Sequence, residues 1–317
     1  MSAQADDDLH LVDYGTRPKW LAARMHGVGA SESAALFGVS PWHTKLSLWA
    51  EKAGKLQRED DAAGAEWLDW GNILEPLIAD RYATVTGSEI WQGGPFCIAT
   101  HPTIPILFAT PDRLVLRSPN RTTRGALQIK NASAYKAHDW NEGPPDFVQC
   151  QVQHEMAVLG LDWASVAVLI GGNKFRYFDV ERNDAFIAEL FEQVRLFWQM
   201  VERDEQPPAD EIDHRSLDTL KRLHPADNGT LIELPPEAME WWAEIEAARK
   251  AESAAKKQKD AADAKLRALI GDATYARLTD GRHLSLKTTE RAGFTVEPVT
   301  YRTLRLDKDK EKRTWLK

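Results

Sequence analysis

Four residues of this chain are of the kinds that hold a hard divalent cation and act on a water beside it. Glu75 lies in a helical stretch, Asp112 follows a proline at a strand turn, and Gln128 and Lys130 are two apart in the strand-like segment ALQIKN. Side chains along a strand alternate between faces, so Gln128 and Lys130 share one. Asp112 reaches that face if its own strand pairs with ALQIKN. Hard oxygen donors at such a place suit Mg2+, which keeps several waters and bridges to a substrate phosphate. A lysine beside the ion orients a water or helps depress its pKa. Taken singly, each carboxylate reads as a solvated surface charge; the order and spacing of the set favour chemistry.

Two further stretches bear on the same chemistry. WLAARMHGVGASE sets Trp20, Arg24 and Ser31 ahead of a helix start. A phosphate there would meet backbone N–H groups, a hydroxyl and a guanidinium. Equally, Ser31 reads as a plain N-cap and Arg24 as a surface residue. PPDFVQCQVQHEM carries Gln151 and Gln153 on a partly buried helix, either placed to touch metal waters or a nucleotide, or simply exposed. None of the nine histidines falls in HExxH spacing, so a zinc hydrolase is unsupported.

The elements that must position these residues are legible as alternating helix and strand signals. SESAALF (31–37) reads as a short helix capped by Ser31 and closed by Gly38, and a second helix follows in SPWHTKLSLWAEKAGK. Residues 71–86 form an amphipathic helix in which Ile73, Leu74, Leu77, Ile78, Tyr82 and Val85 recur at helical spacing, with Gly87 at its end and Glu75 bordering the stripe. Strands are expected in PFCIAT, PILFATPDRLVL, ALQIKN, WASVAVLIGG and FRYFDVER, and helices over 146–159 and from about Asn183 to Val201. DEQPPADEID breaks the pattern. Beyond it lie a helix over 236–269, anchored by Met239, Trp242 and Ile245, and edge-strand patterns in HLSLKT and FTVEPVTYRTLRL. The fold class is therefore α/β (α+β): a mixed central sheet flanked by helices over 1–208, and a helical and β extension over 209–317.

Bulk properties bound the rest. The 317 residues, 43% hydrophobic and 28% charged, suffice for a large core plus an appendage. The net charge of −8 counts mildly against a nucleic-acid partner but leaves room for a local basic groove. Two cysteines make neither a disulfide framework nor a zinc quartet. With no basic-then-apolar leader in the first 15 residues and no membrane-length apolar run, a cytoplasmic protein is expected.

Five stretches in order, RMHGVGASESAALFGVSPW, WGNILEPLIADRYATVTG, ATPDRLV, LQIKN and QCQVQHEMAVLG, make residues 15 to 205 resemble the YqaJ-like viral recombinase family, the lambda-type phage exonucleases of the PD-(D/E)XK nuclease superfamily. The resemblance implies a 5′-to-3′ exonuclease on double-stranded DNA ends, acting with two Mg2+ ions or Mn2+ in their place. It also implies a ring-shaped homotrimer and a single-strand annealing protein as partner. By the same resemblance Asp112, Gln128 and the Ile129 carbonyl would bind metal and Lys130 would be the catalytic lysine. Glu75 would support the second ion or its waters, Arg24 and Ser31 would take the 5′-phosphate, and Gln151 would sit by the active site. The family carries Glu where this chain has Gln128. The neutral amide removes one negative charge, which implies weak metal binding and slow cleavage. Gln128 is thus either a substitution disabling an active nuclease or a natural variant whose site tolerates the amide. A nuclease-like protein that holds DNA ends without cutting, and an endonuclease of the same superfamily, stay open beside it.

Overall fold

The computed structural model describes residues 11–57, 66–293 and 298–305. The first ten residues, and FTVE with the last residue of the final edge-strand pattern, lie outside them. The chain divides into two compact units, Met1–His224 and Pro225–Lys317. The dividing point lies beyond the 208/209 boundary because residues 209–224 pack on the first unit. Arg215 donates to the Gly38 carbonyl at 3.1 Å, Ser216 Oγ to Thr44 Oγ1 at 3.0 Å, and Leu220 and Leu223 join its core.

The first unit is organised by a five-stranded mixed sheet. Its strands are β3 (Glu89–Trp91), β6 (Arg113–Arg117), β7 (Gly125–Ala132), β8 (Trp163–Ile170) and β9 (Lys174–Glu181), in that spatial order. Only β7 and β8 are parallel, joined by the crossover helix α5 (Asp146–Leu159). A parallel pair needs such a crossover, and the helix then covers one face of the sheet. Helix α4 (Glu66–Thr86) covers the other. A second sheet, ordered β1 (Leu11–Asp13), β4 (Cys97–Thr100), β5 (Leu107–Ala109), β2 (Val28–Gly29), carries the N-terminal segments. The helices α1 (Arg17–Arg24), α2 (Ser33–Leu36), α3 (Lys45–Lys52), α6 (Asp184–Arg203) and α7 (Leu217–Leu223) complete the unit.

Alternation along β7 sorts its residues between the two layers. Leu127 and Ile129 pack with Val115, Trp163 and Ala167 against Ile78, Ala79 and Tyr82 of α4. Ala126 packs with Leu114, Val166, Val148 and Val152 in the larger core on the α5 side. Gln128 and Lys130, in phase with Ala126, therefore face α5.

Helix α4 uses only part of its expected stripe. Ile78 and Tyr82 are buried and Leu74 is partly so, but Ile73, Leu77 and Val85 are exposed, as is Trp70. Two apolar rows one residue apart share the same 3.6 period, and the sheet covers only one of them. Ser31 is also displaced from its expected cap. It sits in a single turn of 3-10 helix, Ala30–Glu32, with Gly29 at the N-cap position.

The second unit holds α8 (Ala238–Ile270) and an antiparallel hairpin of β10 (Tyr275–Arg277) and β11 (His283–Ser285). Trp242 and Ile245 are half-buried, whereas Met239 is exposed. Residues 298–305 form no strand; the hairpin partner of HLSLKT comes instead from residues 275–277.

The start of β7 is built on a missing side chain. A Cβ at Gly125 would come within 2.5 Å of the buried Trp163 ring, whose Nε1 donates to the Thr123 carbonyl at 3.2 Å. Gly125→Ala is expected to lower stability by about 1–3 kcal/mol through overpacking. Urea unfolding measures this; an unchanged midpoint would contradict it.

Candidate functional site

The antiparallel register of β6 and β7 pairs Arg113 with Leu127. One step further along, Asp112 stands opposite Gln128 on the α5 face. Its carboxylate is anchored there: the Ile129 backbone N–H donates to Asp112 Oδ2 at 2.8 Å, and Gln128 Nε2 donates to the same oxygen. Asp112, Gln128, Ile129 and Lys130 are thus brought together at the junction of two strands, from positions 16 to 18 residues apart in sequence.

Helix α5 closes this face from above. Gln151 Nε2 donates to Gln128 Oε1 at 2.7 Å and to Glu155 Oε1 at 3.0 Å, while Gln151 Oε1 accepts from Lys130 Nζ at 2.9 Å. Gln151 and Glu155 are one helical turn apart, so they share the face turned to β7. A continuous chain results: Asp112, Gln128, Gln151, Glu155, with Lys130 joined to its middle. Gln128 turns its donor toward Asp112, and acts here as a neutral bridge between strand and helix.

Glu155 went unread in the sequence. It is fully buried, and its Oε2 has no hydrogen-bond partner among the described residues. The only signal was its i+4 spacing from Gln151 on a helix that buries almost every residue. Such spacing is equally that of a core position.

Burial pushes the Asp112 carboxyl up to about 6; Lys130 pulls against that shift, and Glu75 adds to it. Burial raises the Glu155 carboxyl further, with Asp112 adding to the rise and the Gln151 hydrogen bond opposing it.

Glu75 enters from the other layer. Its Oε1 accepts from Arg113 Nη1 at 2.6 Å, and the same nitrogen donates to the Asp112 carbonyl. Glu75 therefore lies within the electrostatic reach of Asp112 but is held by a buried guanidinium. Among the described residues no three His, Cys, Asp or Glu side chains converge as a metal cluster. The Asp112 carboxylate is bonded by the Ile129 N–H and the Gln128 NH2, while the Gln128 oxygen accepts from Gln151. The oxygens these residues carry, a carboxylate, a side-chain amide and a peptide carbonyl, are hard and fit Mg2+ better than a soft metal.

The residues read as a phosphate pair form their own buried network. Arg24 Nη2 donates to Glu32 Oε1 at 3.1 Å and lies 3.5 Å from Ser31 Oγ, and its guanidinium stacks 4.7 Å from the Trp20 ring centre. Glu32 Oε2 accepts from Gly29 N at 2.8 Å and pairs with Lys52 Nζ at 2.8 Å. Arg24 is buried, not on the surface, and its Nε lacks a partner among the described residues, while Ser31 is exposed. Because β2 pairs with β5 at Gly29↔Phe108, this turn borders the strand that leads into Asp112. Gln153 is not brought to the site. Its amide accepts from Asn183 N at 2.9 Å and donates to the Glu181 carbonyl at 2.8 Å, tying the turn between β9 and α6.

A family model for the YqaJ-like viral recombinase domain matches residues 19–162. The uncharacterized protein YqaJ of Bacillus subtilis (strain 168) is 30% identical over 223 residues, 69% of this chain and 67% of that protein. Among solved structures, an alkaline exonuclease from Laribacter hongkongensis is 25% identical, with 59% of this chain and 93% of that one covered and a TM-score of 0.48. A phage related exonuclease from Haemophilus somnus 129PT is 13% identical, with 56% and 94% covered and a TM-score of 0.39.

The two buried carboxyls make the metal-free stability depend on pH. Both hold protons more tightly folded than unfolded, so the folded state binds the extra protons and stability falls as pH rises. Their contribution is complete below about pH 4 and is lost on the way up to about pH 8. Melting in chelator across that range is expected to show the decline, and Asp112→Asn with Glu155→Gln is expected to flatten it. A decline as steep in the double variant would contradict this origin.

Proposed function

The chain belongs to the YqaJ-like viral recombinase family, and from there we propose that it is a Mg2+-dependent exonuclease. Its substrate would be linear double-stranded DNA, degraded 5′ to 3′ to leave 3′ single-stranded tails for annealing recombination. One observation carries the reading: Asp112, Gln128, the Ile129 peptide and Lys130 share one strand junction, with Gln151 closing it.

In this reading Asp112, the Ile129 carbonyl and the Gln128 amide hold the ion, and Mn2+ substitutes for Mg2+. The ion supplies Lewis acidity at the scissile phosphate and a more acidic water. Lys130, held by Gln151, orients that water. Arg113 restrains Glu75 at the mouth of the site. Arg24 and Ser31 take the 5′-phosphate, which then competes with Glu32 for the guanidinium. A ring-shaped homotrimer fits the exposed row Trp70, Ile73, Leu77 and Val85, and a single-strand annealing protein is the proposed partner. No helix among the described residues is long and apolar enough to cross a membrane. The proposed setting for this activity is the cytoplasm.

Gln128 favours a second reading. A site short of one negative charge binds metal weakly and would hold DNA ends without cutting. Labelled duplexes separate these possibilities. With Mg2+, a 5′-terminal label is expected to be released from linear duplex before a 3′ label, while covalently closed circles stay intact. Lys130→Ala is expected to slow release about 10²- to 10⁴-fold. Cut circles would point to an endonuclease, and tight end binding without release to a binding module.

A further inference from the structure

Gln128 leaves a question of charge, and α5 contains an answer. The residue does not simply replace one acidic group with nothing. It bridges Asp112 to Gln151, and Gln151 bridges on to Glu155. Strand and helix thus join a second carboxyl group, Glu155, to Asp112 through two side-chain amides. Glu155 is fully buried and has one oxygen satisfied by Gln151 and the other open. Among the described residues it forms no ion pair with Lys130, whose ammonium is bonded to Gln151. A buried carboxylate in this state requires either a proton or a cation.

We propose that Glu155 supplies the divalent-ion site with the negative charge that Gln128 lacks. Resting on the nuclease reading above, this makes Gln128 part of a working site whose second carboxylate is reached from the helix through Gln151. The two amides then have a joint purpose. Gln128 and Gln151 keep Asp112 and Glu155 in one hydrogen-bonded unit. The rival is a neutral, protonated Glu155 that merely fills the core. Glu155→Gln distinguishes them, because glutamine reproduces the shape of the protonated acid but cannot provide the charge.

The test is Mn2+ binding to the full chain, followed by electron paramagnetic resonance. Wild type is expected to bind. Glu155→Gln is expected to weaken binding about 10- to 100-fold. The exchange Gln128→Glu with Glu155→Gln restores the charge in the strand position and is expected to recover wild-type affinity. Unchanged binding in Glu155→Gln would overturn the proposal. So would an exchange variant that folds but fails to recover affinity. If Glu155→Gln alone does not fold, the exchange variant decides: wild-type affinity supports the proposal, and weak or absent binding, folded or not, overturns it. A wild type that binds no Mn2+ at all would bring down the metal-nuclease reading itself. Binding in wild type that survives Glu155→Gln removes only the role of Glu155.

Discussion

The site depends on one hydrogen bond, from the backbone N–H of Ile129 to the carboxylate of Asp112. That bond locks an acidic side chain at the end of one strand onto the backbone of the next. It can form only because β6 and β7 pair in a register that sets Asp112 opposite Gln128. A slip of one residue would turn Gln128 and Lys130 to the α4 face and leave Asp112 against an apolar layer. The hydrophobic alternation guards against this. Leu127 and Ile129 have their places beside Ile78 and Tyr82, and Ala126 beside Val148 and Val152. The apolar residues of β7 thus fix the polar ones.

Two buried carboxylates of the first unit are treated in opposite ways. Glu32 has every need met, with Arg24, Lys52 and the Gly29 amide around it. Removing one partner of such a cluster costs about 3–5 kcal/mol, because a buried charge is left without compensation. Glu155 has one amide and an open oxygen. The first arrangement is a joint between α1, the turn after β2, and α3. The second leaves one buried carboxyl oxygen without a hydrogen-bond partner among the described residues.

Much of this was legible in the chain, and the limits have physical causes. The period-two and period-3.6 patterns located β7, β8, β9, α5 and α6, because each buries a continuous face. Asp112, Gln128 and Lys130 were legible because a strand's alternation and one turn suffice to join them. Glu155 was not, since a residue on a helix buried all round gives no sign of which neighbour it meets. Gln153 looked equivalent to Gln151, yet two residues along a helix rotate it to the β9–α6 turn. The exposed row Ile73, Leu77 and Val85 was misjudged because periodicity reports amphipathicity without saying what covers it. In the tail, short alternating patterns suggested strands over 298–305 where the structure has none.

The convergence at the β6–β7 junction is tested most directly by cutting the backbone from the proposed metal position. Fe2+ bound in place of Mg2+, with ascorbate and peroxide, generates hydroxyl radicals that cleave nearby peptide bonds, and mass spectrometry locates the cuts. Cleavage is expected at residues 111–113 and 128–130, and excess Mg2+ is expected to suppress it. Cuts clustered elsewhere, or none at either of these two segments, would contradict a metal site built on Asp112 and Ile129.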